Sequence, residues 1–304
     1  MFENTLKMFK EMFGDVDTSN VAMNIREDAQ TCQRRNSENV IITGLKDNTG
    51  LKIHVLSSAK GEEVFIPAIV TKSNITDEVR NDFYIDSGAE VIIQAGCALH
   101  TDGNGESTHN GNHHFYIGEG AKVTYNEKHF GEGTNAKKTI SPSNVIVLEK
   151  NAYLKMDTIQ TDGVSYTNRT TKATVKAGAR LEINERIQTQ NDQQSISNID
   201  IDAIGDGASI DIVSRSVAKD DSVQTLKTNI TANSVCTGHS ECDTILVGNG
   251  KATSIPALVA NNPKASLVHE AAIGRISQQQ IEKLQTLGLD EEEAEHYIIK
   301  GFLR

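Results

Sequence analysis

The chain has 304 residues, no Trp, four Pro, 5% aromatics and a hydrophobic fraction of 37%; its Ile, Val, Leu and Ala suit thin stacked layers better than one large core. A formal net charge of −11 with no basic cluster excludes a nucleic-acid surface, because phosphate binding needs a concentrated positive field. No run approaches the ~20 apolar residues of a membrane span, and Glu3, Lys7, Lys10 and Glu11 interrupt any apolar signal core. Cys32, Cys97, Cys236 and Cys242 are scattered and too few for a disulfide framework. A cytoplasmic protein with reduced thiols is expected.

Phe2, Leu6, Phe9 and Phe13 recur at helical spacing with charges between them, which predicts a short amphipathic helix over 2–13. A second helix is expected over roughly 21–35, making 1–38 an N-terminal helical segment. From Asn39 the period becomes strand-like: Asn39–Thr43, Leu51–Leu56, Glu63–Val70 and Asp82–Ile85 are β-rich runs separated by Gly, Asn and Asp.

A repeat then appears. Gly88-Ala89-Glu90-Val91 is echoed by Gly120-Ala121-Lys122-Val123, Asn151-Ala152-Tyr153-Leu154, Gly178-Ala179-Arg180-Leu181 and Gly207-Ala208-Ser209-Ile210, the alanines lying 32, 31, 27 and 29 residues apart. Gly or Asn supplies a left-handed turn residue, Ala fits a tight inward bend, and the apolar residue two positions on begins an alternating strand. No such unit buries its apolar face alone, so the units must stack. Leucine-rich, ankyrin and tetratricopeptide signatures are absent, and coils of two or three strands in a parallel β-helix over 39–270 fit best.

Near Glu270 helix signals return. Ser277 with Gln280 and Asp290 with Glu293 are capping-box patterns, opening helices striped by Ile281, Leu284 and Leu287 and by Ala294, Tyr297, Ile298 and Phe302. The C-terminal segment 271–304 either caps the last coil or binds a partner.

Chemistry concentrates in two places. Gly248-Asn249-Gly250-Lys251 lacks the remainder of a phosphate loop, so no nucleotide is expected on this chain. Cys97, His100, His109, His113, His114 and His129 combine thiol and imidazole, which suits iron, zinc or copper(I). Their spacing matches no zinc module, and hydrogen-bonding turn residues are the alternative. Cys97 and His129 each lie eight residues after a repeat alanine, so the two could stack on successive coils. Farther on come Cys236 and Cys242, then His269 and Glu270, with Cys242 and Glu270 separated by 28 residues, one repeat length. Adjacent coils would make their backbones neighbours at ~4.8 Å. A carboxylate raises a neighbouring thiol pKa, so the pair suits iron ligation rather than hydrolysis; a buried Cys and a surface Glu is the alternative.

Cys242-Asp243-Thr244-Ile245-Leu246-Val247-Gly248, Ile255-Pro256 and the run Leu267-Val268-His269-Glu270-Ala271-Ala272-Ile273-Gly274-Arg275-Ile276 closely resemble the C-terminal signature of the SufB/SufD family. Tyr297–Leu303 and the segment around Cys97 fit as well. The resemblance implies a right-handed parallel β-helix whose terminal helices dock SufC, an ABC-type ATPase, and a non-catalytic scaffold that assembles a transient iron–sulfur cluster. By the same resemblance Cys242 is the cluster-binding or sulfur-accepting cysteine, Glu270 its partnering carboxylate, and Cys97 a sulfur-transfer cysteine. His269 stands at an adjacent signature position. His100, His113, His129 and Cys236 remain candidate metal ligands. The chain is short for this family, which implies a minimal system in which a second copy replaces the usual heterologous partner, served by a sulfur donor and recipient apoproteins. Two other classes compete: a β-helix carbohydrate-active enzyme with paired carboxylates, which lacks aromatic platforms here, and a metallohydrolase built on His100, His109 and His113.

Overall fold

The computed structural model describes residues 3–46, 49–134, 136–161 and 163–304. Helix α1 (Glu3–Phe13) precedes β1 (Ala22–Glu27), β2 (Gln30–Arg35), β3 (Val40–Gly44), β4 (Gly50–Val55), β5 (Lys60–Val70) and β6 (Thr76–Ile85). There follow β7 (Glu90–His100), β8 (Glu106–Ile117), β9 (Lys122–Glu132), β10 (Lys137–Ile140), β11 (Ser143–Leu148), β12 (Tyr153–Gln160) and β13 (Tyr166–Val175). The last strands are β14 (Arg180–Thr189), β15 (Gln194–Ala203), β16 (Ser209–Ala218), β17 (Val223–Ala232), β18 (Thr237–Leu246), β19 (Lys251–Ala260) and β20 (Ser266–Gly274). Helices α2 (Gln278–Gln285) and α3 (Glu291–Phe302) close the chain.

These strands wind into a parallel solenoid of about eight turns. One sheet runs β2-β1-β5-β7-β9-β12-β14-β16-β18-β20 and the other β19-β17-β15-β13-β10-β8-β6-β4-β3, with β11 bridging β8 and β13. Side chains alternate between a lumen and solvent, so every second residue enters the core. The turn chemistry read from the repeat is present: Gly120 (φ 67°) and Asn151 (φ 58°) take left-handed conformations, and Ala121 and Ala152 behind them are buried. Lys122 pairs with Glu90, Tyr153 with Lys122, Arg180 with Tyr153 and Ser209 with Arg180, offsets of 32, 31, 27 and 29 residues. The alanine spacing is therefore the coil length, and the coils are widest where Cys97 lies.

The expected helix over 21–35 is instead a hairpin, β1 and β2 antiparallel, with β1 also joined in parallel to β5. Its turn places Asp28 and Ala29 at positive φ. Ala22 packs into the main core while Met23 and Ile25 pack with α1. Both faces of β1 are buried, which erases the alternation that betrays a strand. Helix α1 forms as expected over its described residues; Phe2 lies outside them. Met8, Phe9 and Met12 of α1 cover Phe65, Ala98 and Phe130 on the outer face of the first sheet.

Candidate functional site

Cys97 points into the lumen, in register with His129 on the next coil, as the repeat spacing anticipated. A cavity of about 20 Å³ beside it is lined by His109, His113, His129, Glu127 and Asn81 among others, room for a single water-sized body. Burial, with the Asp77 and Glu127 charges adding to it, pushes the Cys97 thiol well above its ordinary range. The imidazoles here are committed to hydrogen bonds. His109 Nδ1 lies 3.0 Å from Asp77, His113 Nδ1 3.3 Å from Asn81, and His100 Nδ1 3.1 Å from Glu132. Arg169 Nη2 can only donate, so its 3.1 Å bond to His129 Nδ1 leaves the His129 proton on Nε2, 3.3 Å from Glu127 Oε1. Burial would raise Glu127, but His129 and Arg169 outweigh it and hold this carboxylate well below its usual range.

Glu127 belongs to a column on the inward face of the first sheet. Glu127 pairs with Thr158, Thr158 with Glu185, Glu185 with Ser214, and Ser214 with Cys242. Across the lumen runs a second column, Arg169, Ser197, Leu226 and Ser254. The two meet. Arg169 bonds Glu127 at 2.6 Å and approaches Glu185 at 3.5 Å, and the Ser197 hydroxyl donates to Glu185 at 2.9 Å. Burial raises Glu185, and Arg169 only partly offsets it. The Cys242 thiol is raised chiefly by burial, and Ser254 on the facing sheet keeps a buried hydroxyl without a hydrogen-bond partner. A polar strip thus runs along the interior from Cys97 to Cys242, five coil steps of ~4.8 Å or roughly 24 Å.

The last coil departs from the sequence reading at one point. Its period is 29, not 28, so Cys242 pairs with Ala271 while Glu270 pairs with Glu241. Successive residues alternate faces, so Cys242 points inward and Glu270 outward beside Glu241. His269, opposite Ser240, shares the inward face with Cys242. Cys236 is buried in the main core just before β18, and Cys32 is exposed on β2. Among the described residues no three His, Cys, Asp or Glu side chains gather as a metal site. His113 and His129 do share the cavity beside Cys97, their Nε2 atoms 3.7 and 3.3 Å from Glu127 Oε1, whereas His100 and Cys236 do not line it.

Both terminal helices start at the predicted boxes, Ser277 with Gln280 and Asp290 with Glu293. Ile281, Ala294 and Ile299 are buried, Leu284, Ile298 and Phe302 half-buried, and Leu287 and Tyr297 are 74% and 57% exposed. Lys219 binds Glu295 at 3.1 Å and ties α3 to the solenoid. The helices leave the final coil bare, with Ile255, Leu258, Val259, Val268 and Ile273 exposed. No helix among the described residues is long and apolar enough to cross a membrane.

Fold and site together define a parallel β-solenoid with thiols facing a polar lumen and an open final coil. The family described as SUF system FeS cluster assembly, SufBD core domain, matches residues 70–302; the chain belongs to the SufB/SufD family and so to the machinery of iron–sulfur cluster assembly. It is similar to a SufBD family protein of Methanocaldococcus jannaschii, 28% identical over 272 residues, 88% of this chain and 85% of that one. A relative in Archaeoglobus fulgidus is 26% identical over 265 residues, 86% and 70% of the two chains. One in Pyrococcus horikoshii reaches 47% over 66 residues, 22% and 20% of the two.

Arg169, Glu127, Glu185 and Ser254 were missed from sequence. A signal existed: Leu181, Ile183, Glu185 and Ile187 keep one period-two phase, and so do Val123, Tyr125, Glu127 and His129. A charge inside an inward-facing run marks a lumen residue.

Proposed function

We propose that this chain is the scaffold on which an iron–sulfur cluster is built as cargo, without catalysing ATP hydrolysis itself. Sulfur enters at Cys97 and the cluster grows at Cys242. The observation that carries the reading is the unbroken inward polar strip joining those two thiols. In a structural core, Ser and Thr at inward positions and a buried Glu-Arg-Glu set reduce stability relative to apolar residues. Their alignment between two cysteines gives that cost a purpose.

Two interfaces follow. The bare edges of β19 and β20, flanked by Ile255, Leu258, Val259, Val268 and Ile273, fit a second copy of the chain, since terminal strands with apolar flanks invite pairing. The exposed Leu287 and Tyr297, with Leu284, Ile298 and Phe302 beside them and Ile281 anchoring α2, fit a SufC-like ATPase.

The test is anaerobic assembly from ferrous iron with either free sulfide or a persulfide-bearing donor protein, the latter with an added two-electron reductant to bring its sulfane sulfur to sulfide. Cys242→Ala is expected to abolish cluster formation from both sulfur sources. Cys97→Ala should abolish it from the donor and leave the sulfide route within about twofold. Equal yields from wild type and both variants would remove the reading. Truncation after Arg275 should end ATPase binding while the solenoid stays folded.

A further inference from the structure

Three imidazoles line the cavity beside Cys97: His109, His113 and His129. Their partners assign different tautomers. The Asn81 amide nitrogen can only donate, so its 3.3 Å contact occupies the His113 Nδ1 lone pair. The His113 proton then sits on Nε2, turned toward Glu127 Oε1 at 3.7 Å. His129 repeats the arrangement, with Arg169 donating to Nδ1 and Nε2 facing the same carboxylate oxygen. His109 is the reverse. Its Nδ1 lies 3.0 Å from Asp77 Oδ2, a carboxylate that burial would raise but that His109 and Arg26 hold at about 2. An ionised carboxylate only accepts, so His109 Nδ1 carries the proton and Nε2 keeps its lone pair.

Asp77 is itself held. Arg26 Nη2 donates to Asp77 Oδ1 at 2.6 Å and Arg26 Nε lies 3.4 Å from Oδ2, a fork that fixes the carboxylate and, through it, the His109 ring. Cys97 shares this corner of the lumen. It packs in one cluster with Ile140, whose strand partner is His109. Burial, with the Asp77 and Glu127 charges adding to it, keeps the thiol protonated, so it cannot attack without a base. The cavity of about 20 Å³ holds one water-sized body, and a proton can reach a base through a single such water. Cys97, His109 and Asp77 thus stand in the order nucleophile, base and the group that orients the base.

We propose that His109 is the general base that activates Cys97 as a sulfur acceptor, with Asp77 and Arg26 positioning residues that act through its ring. The inference rests on the reading above, in which sulfur enters at Cys97. His109 Nε2 takes the Cys97 thiol proton, and the thiolate attacks the outer sulfur of the donor's persulfide to form a new S–S bond. The donor's own S–S bond breaks, its thiolate leaves with the bonding electron pair, and the proton held on His109 passes to it. One persulfide is exchanged for another, so the transfer needs neither oxidant nor reductant. His113 and His129 cannot take this part, because Asn81 and Arg169 engage their lone pairs, and burial lowers His113 to about 4.

The experiment uses the full chain and its His109→Gln, Asp77→Asn and His113→Gln variants, with Cys97 followed by mass spectrometry apart from the other cysteines. The first measurement needs no sulfur donor: the rate at which methyl methanethiosulfonate modifies Cys97 from about pH 6 to 9. Wild type is expected to reach a plateau near neutrality. His109→Gln, which keeps a donor for Asp77 but has no base, should react about tenfold more slowly there and climb steadily with pH. Asp77→Asn should keep the plateau at a rate about threefold lower. Around the ring stand Asp77 on β6, Arg26 on β1, His113 on β8, Glu127 and His129 on β9 and Arg169 on β13. The two arginines stay charged, and the other four titrate below the neutral range, so the plateau belongs to none of them. The second measurement is persulfide formed on Cys97 by the donor protein, expected to slow about tenfold in His109→Gln. Reagent labelling that depends on His109 supports the base even where wild-type Cys97 takes up no persulfide, an outcome that counts against the sulfur-entry reading alone. A wild-type rate that climbs with pH without a plateau overturns the proposal, whether or not the variants fold. So does His109→Gln reacting within twofold of wild type, or the tenfold fall appearing in His113→Gln instead.

Discussion

At its N-terminal end the solenoid is closed. Helix α1 lays Met8, Phe9 and Met12 against Phe65 and Phe130, the β1–β2 hairpin extends the first sheet, and β3 turns antiparallel to β4 at the start of the second. At the C-terminal end Ser254 and His269 are among the last inward side chains, and five aliphatic residues from Ile255 to Ile273 face solvent. A solenoid needs capping at both ends. Here one end is covered, while the other leaves aliphatic side chains exposed. The contrast extends inside: charged groups crowd the lumen around Cys97, whereas hydroxyls such as Ser214, Ser216, Thr228 and Ser240 line it near Cys242. Stability resting on buried charge should be lost from the first region, and assembly from the second.

The largest expected effect is at the junction. Arg169→Ala leaves Glu127 and Glu185 buried without their shared cation and should cost about 3–5 kcal/mol, read from the urea midpoint. A loss below about 1 kcal/mol would mean that these carboxylates are solvated and the lumen is wet. Acid should act next. His113 is lowered by burial to about 4 from 6.5, so the folded state disfavours its protonated form. Its contribution is complete above pH 6.5 and lost as pH falls to about 4, some 3 kcal/mol in all. Asp77 follows. Burial opposes it, yet His109 and Arg26 hold it at about 2 instead of 3.8. Its share of about 2 kcal/mol is present above pH 3.8 and lost as pH drops toward 2. Hydrogen exchange should therefore quicken in β6–β9 before β16–β18, and equal quickening would erase the contrast. The smallest effect on stability belongs to the open end. Val268→Glu should shift the unfolding free energy by no more than about 0.5 kcal/mol while converting a dimer to monomer in analytical ultracentrifugation.

The solenoid was legible because each coil needs a left-handed turn residue followed by a small buried one, and Gly88-Ala89 or Asn151-Ala152 is visible without a partner. The hairpin over 22–35 was not, since Ala22 and Met23 are both buried and strand pairing, not local pattern, decides the conformation. Cys97 against His129 was readable from two equal offsets. The face of Glu270 was not, because the spacing of 28 assumed a coil whose length is set by the turn before β20.

That turn has a consequence of its own. A strand offers only two faces, so the number of residues in the bend at Asn261–Ala265 acts as a parity bit: it selects which member of the pair His269 and Glu270 looks inward. No substitution within β20 can exchange the imidazole for the carboxylate, but a one-residue insertion or deletion in the bend would do so at a stroke. In a solenoid built on this coil, the length of one surface turn, more than the identity of the residues in it, then determines whether an imidazole or a carboxylate faces the lumen.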